Sequence, residues 1–92
     1  MKRFVIEREI PGVGGKTAAD YCAISRTSNA ALSQLAPRVQ WEQSYVTGNK
    51  TFCVYLAEDE ADIHRHAELS GFPATRITPV VEVIDPITAN GG

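Results

Sequence analysis

The sequence predicts an α+β fold, because segments with the two-residue periodicity of strands alternate with segments that carry helix start and stop signals. Two of the strand segments, 39–47 and 50–57, are joined by the turn Gly48-Asn49 and therefore predict a hairpin. One helix segment lies on each side of this hairpin, and further strand patterns precede the first helix and follow the second. The order is thus strand, helix, strand, strand, helix, strand.

The first strand is predicted over residues 2–10, where alternation places Phe4 and Ile6 on one side and Glu7 and Glu9 on the other. The glycine-rich run that follows, 11–15, is expected to be a flexible connection.

The first helix is predicted to start at Thr17, a favourable N-cap whose partner Asp20, three residues later, resembles a capping box. It should end near Ala36, because Pro37 disfavours helical backbone in the residue that precedes it.

The second helix is predicted after the acidic run 58–60, since negative charge at a helix N-terminus interacts favourably with the macrodipole. Gly71 supplies the left-handed residue that ends it. The last strand is predicted over 77–84, with Pro79 suited to an edge position.

Right-handed crossovers convert this order into a ferredoxin-like βαββαβ sandwich, a four-stranded antiparallel sheet with two helices on one face. We expect a single domain over residues 1–86 and a flexible tail over residues 87–92. The other face of the sheet is left open, and a second copy of the chain is the simplest cover for it. The sequence therefore predicts a homodimer through the open sheet face.

The third strand separates two unlike faces. Phe52, Val54 and Leu56 form an apolar set that is expected to bury against the helices. The opposite set is both aromatic and polar, and together with the neighbouring strand it is expected to form the open face. The predicted members of this ligand-binding face are Trp41, Gln43, Tyr45, Cys53 and Tyr55.

Two carboxylates from the first strand, Glu7 and Glu9, are expected on the same open face. In a partly desolvated dimer cleft they must be paired, protonated or bound to metal, because an isolated buried charge is unfavourable. Two interpretations stay open: a metal or small-ligand site, or an interface in which these residues pair with Arg8 or Arg38.

Both histidines, His64 and His66, fall in the second helix, each four residues from an acidic side chain. Such a pair holds a divalent metal only with further ligands, and most helix histidines are solvated or hydrogen-bonded. Helices are expected on the face opposite Glu7 and Cys53, so a site that combines them with a histidine needs the partner subunit or a helix end that curls around the edge of the sheet.

Composition argues against several classes of function. The 92 residues carry a net charge of −2, and the nine lysines and arginines are scattered, so no nucleic-acid groove is expected. No apolar run approaches the roughly 20 residues that cross a bilayer, and no signal peptide is recognisable. We therefore expect a cytoplasmic protein without a membrane partner, with Cys22 and Cys53 as free thiols. No catalytic motif is found, and no catalytic residue is assigned.

Residues 4–12 read FVIEREIPG, and short segments of the same kind follow at 40–41, 44–47, 50, 53–55, 66–67, 71–74 and 84–86. Together they resemble, over nearly the whole chain, a bacterial family of small ferredoxin-like nickel-binding proteins classed as a domain of unknown function. The resemblance implies a homodimer that binds nickel, with Glu7, Glu9, Cys53 and His66 at matching positions as metal ligands.

One position departs from that family, whose members commonly carry His where this chain has Gln43. Ni(II) favours imidazole and oxygen ligands, and a glutamine amide is a poorer donor, so nickel binding is weakened if this position is a ligand. The predicted function is nickel buffering or sensing by a homodimer. The alternatives are a plain dimerisation module, or an enzyme or small-molecule binder with an aromatic, acidic cleft between two subunits, lined by Trp41, Gln43, Tyr45 and Tyr55.

Overall fold

The computed structural model describes residues 1–91 and contains the expected six elements in the expected order. The elements are β1 Lys2–Glu9, α1 Ala18–Leu35, β2 Val39–Val46, β3 Lys50–Ala57, α2 Glu60–Ser70 and β4 Arg76–Pro79. Short 3-10 turns cover Val13–Gly15 and Pro86–Asn90.

The four strands form one antiparallel sheet in the order β2-β3-β1-β4. Both helices pack on the same face of the sheet, since Ser28 of α1 and His66 of α2 both contact Tyr55 of β3. The predicted ferredoxin-like α+β sandwich is confirmed.

The helix ends follow the local signals. Thr17 and Asp20 form a reciprocal capping box at the start of α1, and Ala36, just before Pro37, is its C-cap. Asp59 caps α2, which ends at Gly71 in the left-handed conformation at φ 78°.

The last strand is shorter than predicted. It ends at Pro79, after which the backbone N–H of Val80 makes one more hydrogen bond, to the carbonyl of Arg3. Because β1 begins only one residue earlier, at Lys2, little partner backbone remains for a longer strand. Part of the predicted tail, 87–90, lies in the second 3-10 turn, and residue 92 lies outside the described residues.

The glycine-rich connection after β1 is docked on the hairpin turn. The N–H of Gly14 donates to the carbonyl of Gly48, and the N–H of Gly12 donates to the Asn49 side chain, each at 3.0 Å. Val13 is 1% exposed. The flexible connection expected from this composition is therefore, in the structure, a fixed turn.

The helices cover one of the two sets of alternating β3 side chains, and it is not the set that was predicted to lie beneath them. Cys53 and Tyr55 are buried beneath the helices, whereas Phe52, Val54 and Leu56 lie half-buried on the open face. Alternation separates two sets of residues, but it does not say which set the helices cover. The register of the sheet decides it, because Cys53 and Tyr55 pair with two core residues of β1, respectively Ile6 and Phe4.

A bulge in β2 also divides the predicted aromatic face. The register shifts between Trp41 and Gln43, so Trp41 pairs with Tyr55 whereas Gln43 pairs with Val54. Trp41 therefore lies on the helix side, and Gln43 and Tyr45 lie on the open face. A single face that carries all the predicted aromatic residues does not form.

Candidate functional site

A buried polar network lies between the sheet and the helices. The hydroxyl oxygen of Ser28 lies 3.2 Å from the Tyr55 hydroxyl oxygen and 3.2 Å from Nε2 of His66. The rings of Tyr55 and His66 are 5.0 Å apart, and His66 is completely buried. α1, β3 and α2 each supply one member, so the network forms only when the sandwich is assembled.

Arg8 of β1 is the charged member of this region. It is only 2% exposed, and its guanidinium lies 5.8 Å from the Tyr55 ring centre and 5.9 Å from that of Phe72. Nη1 donates to the carbonyl of Pro73 at 2.9 Å, while Nη2 has no hydrogen-bond partner. Buried arginines are rare unless paired, so this residue marks an unusual place in the fold.

Burial and the Arg8 charge set the protonation of its neighbours. Burial, and then the Arg8 charge, lower the pKa of His66 from 6.5 to about 4, although the bond to Ser28 opposes this. Burial also raises the pKa of the Tyr55 hydroxyl, against hydrogen bonding by Ser28 and the charge of Arg8. At neutral pH, His66 is therefore a neutral imidazole and Tyr55 a neutral phenol.

A cavity of about 150 Å³ adjoins the network on the helix side of the sheet. Arg8, Ser28, Cys53 and Tyr55 are among the residues that line it, and Trp41 of the same lining stacks on Tyr55 with ring centres 6.4 Å apart. This cavity was not expected from the sequence. The sequence did contain one signal for it: Arg8 follows Phe4 and Ile6 at alternate positions of β1, on the side of the strand that is buried.

The predicted metal ligands do not form one cluster. Cys53 and His66 are buried under the helices, Glu7 lies on the open face beside Lys50, and Glu9 is exposed at the end of β1. Across residues 1–91, no three His, Cys, Asp or Glu side chains are grouped so that they could hold a metal ion. Within one chain, the sheet therefore lies between Glu7 and the buried pair Cys53 and His66, so the four predicted ligands are not brought together.

The other histidine, His64, is exposed on α2. Its Nε2 lies 3.5 Å from a carboxylate oxygen of Glu60, one turn earlier. Two exposed donors on a helix surface do not complete a coordination shell.

The open face carries a row of side chains that crosses all four strands. Tyr45, Phe52, Glu7 and Arg76 are successive partners in the sheet register. Lys50 lies 3.6 Å from Glu7, and farther along the face Arg3 pairs with Glu42 at 2.6 Å. Charges of both signs are therefore set into a half-buried apolar surface.

The fold and these two surfaces define a small ferredoxin-like protein with a covered, cavity-bearing sheet face and an open, mixed-charge one. The chain belongs to the family described as nickel responsive protein SCO4226-like, which it matches over residues 4–80. The description of the family names a response to nickel.

Among solved structures, the chain is similar to the crystal structure of SCO4226 from Streptomyces coelicolor A3(2), with a TM-score of 0.74 and 16% identity. The match covers 89% of this chain and 99% of that chain, and at this identity it shows the fold alone. A comparison with curated proteins gives no match. In the part of the chain that is described, no helix has the length and apolar character of a membrane span.

Proposed function

We propose that this protein acts in the response to nickel as a homodimer that binds Ni(II) between two open sheet faces. The observation that carries the proposal is the match to a nickel responsive family over most of the chain. Within residues 1–91 of one chain, the side chains that could donate to a metal ion are too far apart to form a site. A twofold axis that passes close to an open-face donor would bring a second copy of that donor to the first.

The open face has the properties of a surface that pairs with itself. Val5, Phe52, Val54 and Leu56 supply its apolar centre, and they are only half-buried in one chain. The ion pairs of Glu7 with Lys50 and of Glu42 with Arg3 lie on the same face, so two copies related by a twofold axis can place opposite charges against each other.

The segment after β4 extends this apolar surface. Val80, Val83 and Ile84 flank the open face together with Val5 and Val54. Val81 is 98% exposed and Ile84 is 76% exposed. Contiguous apolar side chains of this kind mark an interaction surface, and the occupant that we propose is the second copy.

Glu7 is the principal ligand in this proposal. It lies at the centre of the sheet, on β1 between β3 and β4, so a partner bound face to face can approach it. Gln43 of the same face can contribute only a weak carbonyl donor, and Glu9, at the rim, offers a further carboxylate. The free thiols of Cys22 and Cys53 are compatible with the reducing cytoplasm, where we place the protein.

Calorimetric titration of Ni(II) into protein without a histidine tag tests the proposal. We expect uptake in a fixed ratio to the dimer that weakens as the pH falls and the donors are protonated. Glu7→Gln should weaken nickel binding by at least about tenfold, because a carboxylate ligand is replaced by a neutral amide.

Glu68→Gln is the matched control, since Glu68 lies exposed on α2 and contacts Arg65 there. It should bind nickel as the parent protein does. Equal nickel affinity of the Glu7→Gln variant and the parent would place the metal elsewhere and reject the open face as the site.

A further inference from the structure

The charge of Arg8 has no counter-ion in the described chain. The residue is 2% exposed, and across residues 1–91 it forms no ion pair within 4.0 Å. The guanidinium of an arginine is a positively charged group that only donates hydrogen bonds. The rings of Tyr55 and Phe72 and the carbonyl of Pro73 contact the guanidinium, but none of them is an anion. A buried charge without an anionic partner is unfavourable, and the unpartnered Nη2 adds the loss of a hydrogen bond.

The cavity beside Arg8 supplies space for the missing partner. Its volume of about 150 Å³ equals that of an engineered apolar cavity that accepts benzene. Arg8 lines this cavity together with side chains of α1, β2 and β3. Ser28 and Tyr55 are also in the lining, while Ile24, Val13 and Trp41 help to make the remainder largely apolar.

We propose that this cavity binds a small organic carboxylate with an apolar body of about the size of a benzene ring. The carboxylate pairs with the Arg8 guanidinium, and the ring lies between α1 and Trp41. The site is on the opposite side of the sheet from the proposed nickel site, so each proposal can fail without the other.

The chemistry of the lining favours a carboxylate over inorganic phosphate. A guanidinium pairs well with either anion, but phosphate presents several oxygens that all need donors. Here Arg8 provides the one cationic group of the lining, and most of the other lining side chains are apolar. A monocarboxylate satisfies Arg8 with one end and fills the apolar space with the other.

The aromatic rings at the cavity wall provide a way to detect the proposed ligand. Trp41 and Tyr55 are stacked at the cavity wall, and Trp41 remains half-buried. Bound ligand would exclude water from the indole ring, so the single tryptophan of the chain reports occupancy through its fluorescence.

The test uses benzoate as the probe, with benzyl alcohol and inorganic phosphate as comparators. We expect benzoate to change Trp41 fluorescence saturably and to raise the melting temperature of the protein, because a ligand that binds the folded state stabilises it. Benzyl alcohol, which has the ring without the charge, should bind at least about tenfold more weakly. Phosphate should give no saturable change.

Arg8→Met removes the guanidinium but keeps a long apolar side chain. It should lower benzoate affinity by at least about tenfold and leave the affinity for benzyl alcohol similar or higher. Arg76→Met is the matched control, since Arg76 is exposed at the sheet edge and does not line the cavity. That variant should bind benzoate as the parent does.

A second variant covers the case in which Arg8→Met does not fold. Ser25→Phe adds a ring to the cavity wall from the half-buried surface of α1 and leaves Arg8 unchanged, whereas Ser33→Phe adds the same ring at an exposed position. Ser25→Phe should abolish the benzoate response and Ser33→Phe should not.

The proposal is overturned if benzoate gives no saturable response with the parent protein. It is also overturned if the Arg8→Met variant or the Ser25→Phe variant binds benzoate as tightly as the parent does. Tighter binding of phosphate than of benzoate would also overturn it, since the site would then take an inorganic anion.

Discussion

His66 is a titratable residue held entirely inside the protein. Tyr55 from β3 and Ser28 from α1 contact its ring, and the Arg8 charge from β1 acts on it. No carboxylate of the described chain pairs with this imidazole, and Nδ1 has no hydrogen-bond partner. The surroundings therefore favour the neutral ring.

This environment predicts acid sensitivity. The unfolded chain binds a proton at His66 near pH 6.5, whereas the folded protein does so only near pH 4. Between these values the unfolded state carries more protons, so the free energy of unfolding falls as the pH falls and is fully regained above pH 6.5. The expected loss is on the order of 3 kcal/mol across this window.

Urea denaturation at a series of pH values measures the effect. His66→Gln should remove most of the dependence of the free energy of unfolding on pH. His64→Gln, which alters the exposed histidine of the same helix, should keep that dependence. The same dependence on pH in the His66→Gln variant and in the parent would show that His66 is not the source of the acid sensitivity.

Ser28 is the hydroxyl that connects the two helices to the sheet. Ser28→Ala should lower the free energy of unfolding by about 1–3 kcal/mol, because it leaves polar groups of Tyr55 and His66 buried without their partner. Ser33→Ala makes the same change at an exposed position of α1 and should stay within about 0.5 kcal/mol of the parent. Equal unfolding midpoints for the two variants would show that the network adds nothing to stability.

Among the elements, the turn after β1 shows how a connection becomes part of the site. It packs against the hairpin between β2 and β3, and Tyr21 of α1 donates from its hydroxyl to the carbonyl of Val13 at 2.8 Å. Val13 and Tyr21 both line the cavity. The docked turn therefore contributes to the wall of the cavity.

Two neighbouring glycines of this turn give a matched test of the docking. A Cβ at Gly14 would lie 2.5 Å from the carbonyl oxygen of Thr47 and 2.8 Å from the Cα of Gly48, whereas at Gly15 it would meet nothing within 4 Å. Gly14→Ala should lower the free energy of unfolding by about 1–3 kcal/mol, because backbone atoms of the hairpin must move. Gly15→Ala should be neutral or stabilise by about 0.4–1 kcal/mol. Chemical denaturation measures both, and similar values would contradict a fixed turn.

For the whole molecule, the central question is what covers the open sheet face. Val54 lies near its centre, half-buried, with Gln43 and Val5 as its partners across the sheet. In a face-to-face dimer its side chain becomes fully buried, and a carboxylate there would be repelled by its copy on the partner.

Val54→Glu is therefore expected to give a folded monomer in sedimentation experiments, whereas the parent is expected to sediment as the proposed dimer. It should also lose its nickel uptake in calorimetry, since the proposed site needs two chains. Ala61→Glu adds the same charge to the exposed surface of α2 and should change neither property. A parent protein that sediments as a monomer would reject the dimer and the shared nickel site together.

Much of the fold follows from local signals. The capping residues Thr17 and Asp59, the left-handed Gly71 and the hairpin turn each act within a few residues, so they can be recognised without knowledge of the tertiary structure. The order of the elements and the usual handedness of their connections then leave few arrangements of the sheet.

The site depended on information that is not local. Alternation in β3 divides Cys53 and Tyr55 from Phe52 and Val54, but the strand itself does not show which set the helices cover. The bulge in β2 then moved Trp41 to the side opposite Tyr45, because one additional residue reverses the alternation.

The sequence by itself thus determined the elements and their order, because periodicity and capping act between near neighbours, and it carried the family resemblance. It also favoured the open face for Glu7, because the alternate residues Phe4 and Ile6 are apolar whereas Glu7 is charged. Only the tertiary structure decided that Tyr55 and His66 meet under the helices and that Arg8 adjoins a cavity. These contacts join residues from 11 positions apart (Tyr55 and His66) to 65 positions apart (Arg8 and Pro73), and the register of the sheet and the packing of the helices fix them together.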